Sequence, residues 1–360
     1  MPFAVFTPDA RSAALGDAGG ALGPDANSVY WGAAKLAQST KNYGVALSYT
    51  PWLRGMVDDM YFTYISGFAK VGKNQAFGAS LMYFDHGKFE ARNNMGGFEG
   101  EYLSNEFLFS LAYSRKLSDK LSVGLNMKYI NSNLAGSYPG AGMKPGSTVA
   151  GDISAFYQGD GNIDESTGKG WKMAGALLIQ NIGGKINYGG TETGFIPTNL
   201  KLSGAATRHI DFHNKVTFIL DFNKLMVPTP PVRDASRNVT RGKDPNRGTF
   251  AAMFGSFSDA PDGFREELSE FAISTGVEYW YNESFAARAG YFNEANAKGG
   301  RKYFTIGFGA RVQNRYGIDF AYLMPQRQGS PLANTFRISL VVDMFKKQVE
   351  EQPEATDEAQ

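Results

Sequence analysis

The sequence predicts an all-β membrane protein, namely a 14-stranded antiparallel transmembrane β-barrel with a small N-terminal plug. Three observations predict this fold: strand-like alternation of apolar and polar residues, connections that are alternately short and long, and the lack of an apolar run of helical length. The alternation is clearest in residues 121–129 and 336–344, where every second residue is apolar. Each such strand has one apolar face for lipid and one polar face for the lumen. A soluble β-sandwich has the same alternation, so strand number and turn rhythm must decide.

The predicted strands follow one another along the chain after residue 42. They cover residues 43–50, 58–70, 75–86, 103–116, 120–132, 148–159, 171–183, 197–208, 214–223, 268–281, 284–293, 301–312, 316–325 and 334–345. One set of connections is mostly short: 71–74, 117–119, 209–213, 282–283 and 313–315, with 160–170 as the long exception. The other set is mostly long: 51–57, 87–102, 133–147, 184–196, 224–267, 294–300 and 326–333. This rhythm and the even strand number predict an outer-membrane barrel with extracellular long loops and both termini in the periplasm.

Composition is consistent with this fold and excludes several functions. A length of 360 residues is ordinary for one membrane barrel, and the net charge of +1 provides no basic field, so no nucleic-acid partner is expected. The absence of cysteine excludes thiolate metal sites, disulfides and cysteine nucleophiles, and it fits an oxidising envelope compartment. The 43 glycines, 27 Phe, 18 Tyr and 4 Trp suit a crowded lumen and aromatic girdles. The predicted girdles consist of aromatic residues near strand ends, such as Tyr43, Tyr49, Trp52, Tyr83, Phe84, Tyr279, Trp280, Tyr281, Tyr303 and Phe304.

Three segments are expected: a plug over residues 1–42, the barrel over 43–345, and an acidic, disordered periplasmic tail over 346–360. A barrel of fourteen strands is too wide for wall side chains to fill, so the short helical N-terminal segment is a natural internal plug. Asp9 is placed to cap a helix that ends at Gly16, and Asp25 and Asn27 offer further side-chain caps. The lumen-facing charges could either pair with plug acids or face lumen water; they are Lys128, Arg288, Arg311 and Arg337, against Asp9, Asp17 and Asp25.

The N-terminal segment also carries a family resemblance. Residues 8–19 read Pro-Asp-Ala-Arg-Ser-Ala-Ala-Leu-Gly-Asp-Ala-Gly, and residues 24–31 read Pro-Asp-Ala-Asn-Ser-Val-Tyr-Trp. This pattern resembles the N-terminal signature of the FadL-like barrels and, more narrowly, that of the PorV family of the type IX secretion system of Bacteroidetes. The broader family tends to continue Trp-Asn-Pro-Ala, whereas residues 31–36 read Trp-Gly-Ala-Ala-Lys-Leu, which is closer to PorV. The motif residues are Asp9, Arg11, Gly16, Asp25, Asn27 and Trp31.

The resemblance implies a function in protein secretion. PorV-like proteins are not enzymes: they bind the C-terminal signal domain of exported cargo and dock on a translocon barrel of the SprA type. They then deliver the cargo to a surface attachment complex that contains a PorU-type sortase. The alternative is a FadL-type channel for hydrophobic small molecules, and a passive structural barrel is the third possibility. The fold is common to all three, so it does not choose between them.

The long connection 224–267 is the main candidate for partner binding, because long loops are usually functional or disordered. Three prolines stiffen its start, a basic stretch follows over 233–247, and the loop then becomes apolar. A partner surface, lipopolysaccharide phosphates, or the barrel's own mouth could each be what this loop contacts. The candidate contact residues are Arg237, Arg241, Phe250, Met253, Phe254 and Phe257, with Tyr138 of loop 133–147 as a second candidate.

The sequence gives only weak signals of metal binding, nucleotide binding or catalysis. His209, Asp211 and His213 could hold a metal but read better as a solvated turn, and residues 160–171 lack the glycine and the final acid of a calcium loop. Gly307 and Gly309 lie inside a strand, so they predict room for the plug and not a dinucleotide site. No nucleophile, base and orienting group are assembled, so the sequence predicts neither an enzyme nor a cofactor or metal site.

Overall fold

A closed antiparallel β-barrel of fourteen strands forms the molecule in the computed structural model. The structure describes residues 2–55, 57–93, 95–134, 144–191, 193–236, 238–327, 329–330 and 332–344. The barrel strands, numbered here in chain order, are β1 Tyr43–Pro51, β2 Tyr61–Val71, β3 Gln75–Arg92, β4 Phe98–Lys116, β5 Leu121–Asn133, β6 Gly146–Gln158, β7 Gly170–Gly183, β8 Asn199–His209, β9 Asn214–Leu225, β10 Phe271–Tyr281, β11 Phe285–Asn293, β12 Lys302–Val312, β13 Tyr316–Pro325 and β14 Phe336–Met344.

Every barrel strand is hydrogen-bonded to its two neighbours in the chain, and the ring closes between the first and the last. The closing pair runs antiparallel from Tyr43↔Met344 to Tyr49↔Ile338. A closed ring leaves no unpaired sheet edge, which is the condition for strands to cross hydrocarbon. The connections carry short strands of their own: Asn162–Ile163, Ile186–Asn187 with Thr193–Gly194, and Val232–Arg233 with Val239–Arg241.

The predicted barrel and its order of strands are confirmed, and most strand bounds agree within three residues. The exception is the hairpin of β3 and β4, which runs into the predicted loop 87–102. Its outer part is irregular, with a register shift between Asp85 and Lys88, and it carries exposed charges such as the Lys88–Glu101 pair. Charged residues and a bulge disrupt the alternation of period two, so the sequence pattern ends before the strands do.

The wall is apolar outside and small or polar inside. In β1, Tyr43, Val45, Leu47 and Tyr49 are exposed, whereas the alternate residues 44, 46, 48 and 50 are buried. A water-soluble protein places its large apolar side chains inside, so this inverted arrangement identifies a wall that faces lipid. No helix in the described part of the chain is long and apolar enough to cross a membrane.

Part of the predicted aromatic girdle is wrong. Tyr43, Tyr49, Tyr279, Tyr281 and Phe304 face outward, as a girdle requires. In contrast, Trp52, Phe84, Trp280 and Tyr303 are buried inside the barrel. Where two aromatic residues are adjacent in a strand, only one of them can face lipid, because successive side chains alternate.

Short helices fill the lumen and part of one loop. Inside the barrel lie two 3₁₀ helices, Pro2–Val5 and Ala33–Gln38, and two single-turn α-helices, α1 Ala10–Ala13 and α2 Ser28–Trp31. Outside it lie α3 Thr249–Gly255 and α4 Phe264–Ser269, both in the connection between β9 and β10, and a 3₁₀ turn at Asn296–Lys298. The end of the barrel with the long connections is called the loop end below, and the opposite end is called the turn end.

Candidate functional site

The first turn of the plug is organised by Asp9. Its Oδ1 accepts a hydrogen bond of 2.8 Å from the backbone N–H of Ser12, which caps α1, and its Oδ2 accepts one of 2.6 Å from Trp31 Nε1. One buried carboxylate therefore ties the two helical turns of the plug together. The cap expected from Asn27 is wrong: its side chain makes no capping hydrogen bond to α2. Asn27 Oδ1 accepts instead from Ser66 Oγ of the wall, at 3.4 Å.

Glycines allow the plug to touch the wall. Gly16 adopts a positive φ of 70°, and its N–H donates to Thr305 Oγ1 at 2.9 Å. On the facing wall, a Cβ added to Gly290 would lie 2.1 Å from the nitrogen of Gly16. A Cβ on Gly307 would lie 2.5 Å from the side chain of Ala14, whereas Gly309 faces Asp319 and Arg288. At Gly290 the backbone of the wall therefore meets the backbone of the plug, and a side chain there would displace the plug. Gly307 makes room for a plug side chain, as predicted, whereas the prediction that Gly309 makes room for the plug is wrong, because Gly309 faces wall side chains.

Arg11 joins the plug to a buried chain of ion pairs in the wall. Its Nε and terminal nitrogen donate to the two oxygens of Glu278 at 2.9 and 2.8 Å. Arg288 donates to Glu278 at 2.7 Å and to Asp319 at 2.7 Å, and Arg311 also donates to Asp319, at 2.6 Å. Bidentate arginine–carboxylate pairs fix both distance and direction. The motif arginine therefore sets the position of α1 against β10, β11 and β13.

The expected pairing of lumen charges with plug acids is partly right. Arg337 pairs with Asp17 at 3.3 Å, and Asp25 pairs with Arg11 at 3.4 Å. Lys128, by contrast, pairs with the wall residue Asp152 at 2.8 Å. Arg288 and Arg311 also pair with wall acids. The strands carry their own inward acids, which satisfy most of the wall cations without the plug.

Backbone groups of the plug are satisfied by polar wall residues from most of the barrel's circumference. The N–H groups of Gly19 and Gly20 both donate to Asp221 Oδ2, at 3.0 and 3.1 Å. The wall residues that hydrogen-bond the plug backbone include Ser339 to Ala10, Ser114 and Ser122 to Ala34, Asn126 to Val29, Ser154 to Ala34, and Gln180 to Tyr30. Together with the complete burial of Phe3, Leu15 and Leu36, these contacts make the plug an integral part of the barrel interior.

A cavity of about 790 Å³ lies between the plug and the loop end. Asp17, Arg337 and Tyr303 are among the residues that line it from the plug and the wall, and Phe6 and Trp52 add stacked rings 4.6 Å apart. Residues 227–230, the start of the long connection, form part of its border. Its volume is within the range of about 300–1,000 Å³ that small-molecule sites occupy.

The long connection between β9 and β10 is anchored on the outer face of the wall. In β9, the side chains of Asp221 and Asn223 point inward, so the side chain of Lys224, which has the opposite parity, points outward. Lys224 is paired with Phe271 of β10. Yet only 1 % of that side chain is exposed, because α4 covers it. Its ammonium donates to Glu267 at 3.2 Å and also to Glu270.

A second lysine extends this anchor across the rim. Lys298 donates to Glu266 at 2.6 Å and to Glu270 at 2.9 Å. The other oxygen contacts of Glu270 include Thr229 Oγ1, at 2.6 Å. Hydrogen bonding by Lys298 lowers the pKa of Glu266 from its usual value. Two lysines and three glutamates thus fasten the helical part of the connection to the barrel.

On its free side, the same connection presents large apolar side chains. Phe250 and Phe254 of α3 are 67 % and 71 % exposed, and Phe264 of α4 is 77 % exposed. We call the exposed residues Phe250, Phe254, Phe257, Phe264 and Leu268 the rim patch. The sequence pattern does not identify Phe264 and Leu268 as contact residues, because it predicts a strand from residue 268 onward. Their spacing of four residues is the signal of a helix face.

The other predicted loop residues have different surroundings. Met253 of α3 is buried, so it belongs to the packing of the loop itself. Arg241 pairs with Asp262 at 2.8 Å, and both side chains are exposed. Tyr138, Arg237 and the predicted tail 346–360 lie outside the described residues.

Asp211 organises the turn that contains the two predicted histidines, His209 and His213. Asp211 accepts hydrogen bonds from the backbone N–H groups of His213 and Asn214, at 2.7 and 2.8 Å. Hydrogen bonds from the Asn214 side-chain amide, together with these backbone contacts, lower the pKa of Asp211. Within the described ranges, no three His, Cys, Asp or Glu side chains are grouped as a metal site would need.

Solved structures with a similar fold include the toluene transporter TodX of P. putida. It is 10 % identical in sequence, covers 94 % of this chain and 99 % of its own, and superposes with a TM-score of 0.52. A TodX ΔS2S3 mutant, titled a monoaromatic hydrocarbon channel, is 12 % identical over 93 % of this chain and 97 % of its own, with a TM-score of 0.53. At such identities the similarity extends to the fold alone. No curated protein sequence matches this chain.

The family comparison is more specific. The family described as Type IX secretion system protein PorV matches residues 1–232, which include the whole plug and the strands through β9. The matched part contains Asp9, Arg11 and Trp31, whose contacts organise the plug. The chain therefore belongs to the PorV family of outer-membrane β-barrel proteins of the type IX secretion system.

Proposed function

We propose that this barrel binds the C-terminal signal domain of exported cargo, docks on a translocon barrel of the SprA type, and carries the cargo to a surface attachment complex with a PorU-type sortase. In this proposal the loop end is extracellular, both termini are periplasmic, and the barrel acts as a receptor without catalysis. Membership of the PorV family supports a role in this secretion system.

The observation that carries the proposal is the combination of a filled lumen with an anchored, exposed apolar rim. Arg11, Asp17 and the backbone of the plug are bonded to wall residues around the barrel, so a folded protein has no path through the lumen. Cargo recognition must then use the outer surface of the loop end. The rim patch consists of five exposed large apolar side chains in the connection between β9 and β10, and exposed apolar patches commonly mark interaction sites.

We assign partner contact to the rim patch and, beside it, to Arg241. Large aromatic side chains supply most of the binding energy of protein interfaces, and arginine is the cation most enriched there. The Lys224 and Lys298 anchors reduce the entropy that the loop loses when a partner binds, because the loop is ordered beforehand. Arg237 and Tyr138 remain part of the proposed contact surface.

A pull-down from detergent-solubilised outer membranes tests the assignment. The variant Phe250→Ser/Phe254→Ser/Phe264→Ser should lose recovery of the translocon barrel or of the cargo signal domain. The matched control is Leu117→Ser, an equally exposed apolar residue in the turn between β4 and β5 at the opposite end. Both variants should keep the heat-modifiable mobility of a folded barrel. Full recovery of both partners with the triple variant would refute the assignment.

The second candidate function, a FadL-type channel or receptor for hydrophobic small molecules, is favoured by the cavity of about 790 Å³. Filling it with Ala272→Trp, a substitution on its border, separates the two functions. A small-molecule protein would lose uptake or binding of an aromatic hydrocarbon while partner recovery is unchanged. For a cargo receptor, the same variant should leave secretion intact, provided that it folds as judged by heat-modifiable mobility.

A further inference from the structure

We infer that the rim patch rests on the lipid leaflet at the loop end, with its aromatic side chains at the boundary of headgroups and acyl chains. The inference deepens the proposed function and rests on it, because it takes the rim patch to be the surface that partners contact. A partner that binds a patch lying on the membrane would have to approach in the plane of the membrane. The occupant in the unbound protein is a lipid surface.

The first argument is the position of Lys224. Its side chain belongs to the outward, lipid-facing side of β9, as do Phe218, Leu220 and Phe222, which are exposed. A lysine on the lipid face destabilises a barrel, most strongly at mid-membrane and least near the interface. Here the loop covers the ammonium and neutralises it with Glu267 and Glu270. Glu267 therefore brings α4 against the outward face of β9 at the rim of the barrel.

The second argument is continuity between the wall and the rim patch. Phe271, at the start of β10, lies with its ring 5.6 Å from Lys224 Nζ, and Phe257 of the loop lies 5.4 Å from the same atom. The apolar outer surface of β9 thus continues through these two rings to α3 and α4. Phe250, Phe254 and Phe264 extend a lipid-facing surface that already exists.

The third argument is charge. Lys243 and Arg265 are exposed on the same connection, and no ion pair joins either of them to another described residue; Lys243 donates instead to the hydroxyl of Ser258, at 2.8 Å. Segments that lie in a membrane interface combine bulky apolar residues with cations that meet lipid phosphates. Both components are present here, next to a wall that is itself embedded in lipid.

The absence of cysteine makes a direct test available, because single-cysteine variants can be spin-labelled without background. We would place Phe254→Cys and Phe264→Cys in nanodiscs of phosphatidylethanolamine and phosphatidylglycerol. Power saturation then compares accessibility to oxygen, which concentrates in lipid, with accessibility to a water-soluble nickel complex. Leu220→Cys, on the outer wall, is the lipid reference, and Lys73→Cys, in the turn between β2 and β3, is the aqueous reference.

At positions 254 and 264 we expect a ratio of oxygen accessibility to nickel accessibility close to that of the lipid reference at position 220. This ratio should be several-fold higher than that of the aqueous reference at position 73. Ratios equal to that of Lys73 would overturn the inference. If such aqueous labels became protected on addition of the translocon or cargo, the patch would be a protein site only, and the proposed function would stand. Lipid contact combined with full partner recovery by the triple serine variant would leave the inference intact and refute the partner assignment.

Discussion

Replacement of Glu278 by glutamine should destabilise the barrel strongly, because its carboxylate forms ion pairs with Arg11 of the plug and with Arg288 of the wall. Its carboxylate is 2 % exposed and accepts three hydrogen bonds, two from Arg11 and one from Arg288. Glu278→Gln leaves both guanidinium groups short of one negative charge in a buried setting. Loss of one partner from a buried ion pair costs about 3–5 kcal/mol.

Such a loss should be visible as a shift of the unfolding midpoint. For a large domain, each kcal/mol of lost stability lowers the unfolding midpoint by about 2–4 °C, and the shift becomes smaller as the chain becomes longer. We therefore apply about 2 °C per kcal/mol to this chain and expect a decrease of roughly 6–10 °C. The assay is the temperature at which the folded, faster-migrating band is lost on an electrophoresis gel. Glu90→Gln is the matched control, because its pair with Arg92 is more than half exposed and exposed pairs contribute about 0.2–1 kcal/mol.

A second variant tests the physical reason. Arg11→Met/Glu278→Gln removes one charge of each sign and leaves Arg288 its pair with Asp319. We expect the double variant to be more stable than the sum of the two single changes predicts, by a coupling of about 0.5–3 kcal/mol. Equal midpoints for Glu278→Gln and Glu90→Gln, or strict additivity of Arg11→Met and Glu278→Gln, would refute the view that Arg11 is held by this buried charge.

Three further outcomes are expected. Gly290→Ala should prevent the plug from packing against the wall, because the added Cβ would lie 2.1 Å from the nitrogen of Gly16. The control is Gly204→Ala, whose Cβ would meet nothing within 4 Å. Equal yields of the folded, faster-migrating band for the two variants would contradict this prediction. Lys224→Met should release α4 and speed tryptic cleavage between residues 226 and 270, whereas Lys73→Met should not; unchanged cleavage would show that the anchor is unimportant. The loop anchor should also weaken in acid. The hydrogen bond from Lys298 lowers the pKa of Glu266, so its stabilisation is complete above the usual value of 4.5 and is lost as the pH falls through the lower value in the folded state. Cleavage of the loop by pepsin should therefore increase on acidification below about pH 4.5, and Glu266→Gln should remove that pH dependence; identical profiles would exclude this pair as the cause.

The strands could be predicted because the requirement for an apolar outer face acts on every second residue. That rule is clearest over residues 121–129 of β5 and 336–344 of β14, where every second residue is apolar and faces outward. It is weaker inside the barrel, where Ala46 and Val341 take lumen positions beside the plug. The sequence pattern therefore defines the outer face of the barrel better than the inner one.

The site was harder to predict, because it depends on contacts between distant residues. Residues Asp9, Arg11 and Trp31 could be selected from their motif, but Glu278 and Asp221 carry no local signal that they face the plug. The direction of the long connection depends on one outward lysine, Lys224, whose position follows from strand parity. Phe264 and Leu268 were missed because two helical turns directly before a strand blur the change of period.

The hydrogen bond from the Ala10 N–H to Ser339 Oγ spans 329 positions of the sequence. A segment that precedes all fourteen strands in the chain thus receives a partner from the last of them. Contacts so far apart form late and slowly in folding. A chain that ends before Phe336 would lack both this hydrogen bond and the strand that pairs with Tyr43. The barrel therefore cannot close, and the plug cannot make all of its wall contacts, until β14 is in place.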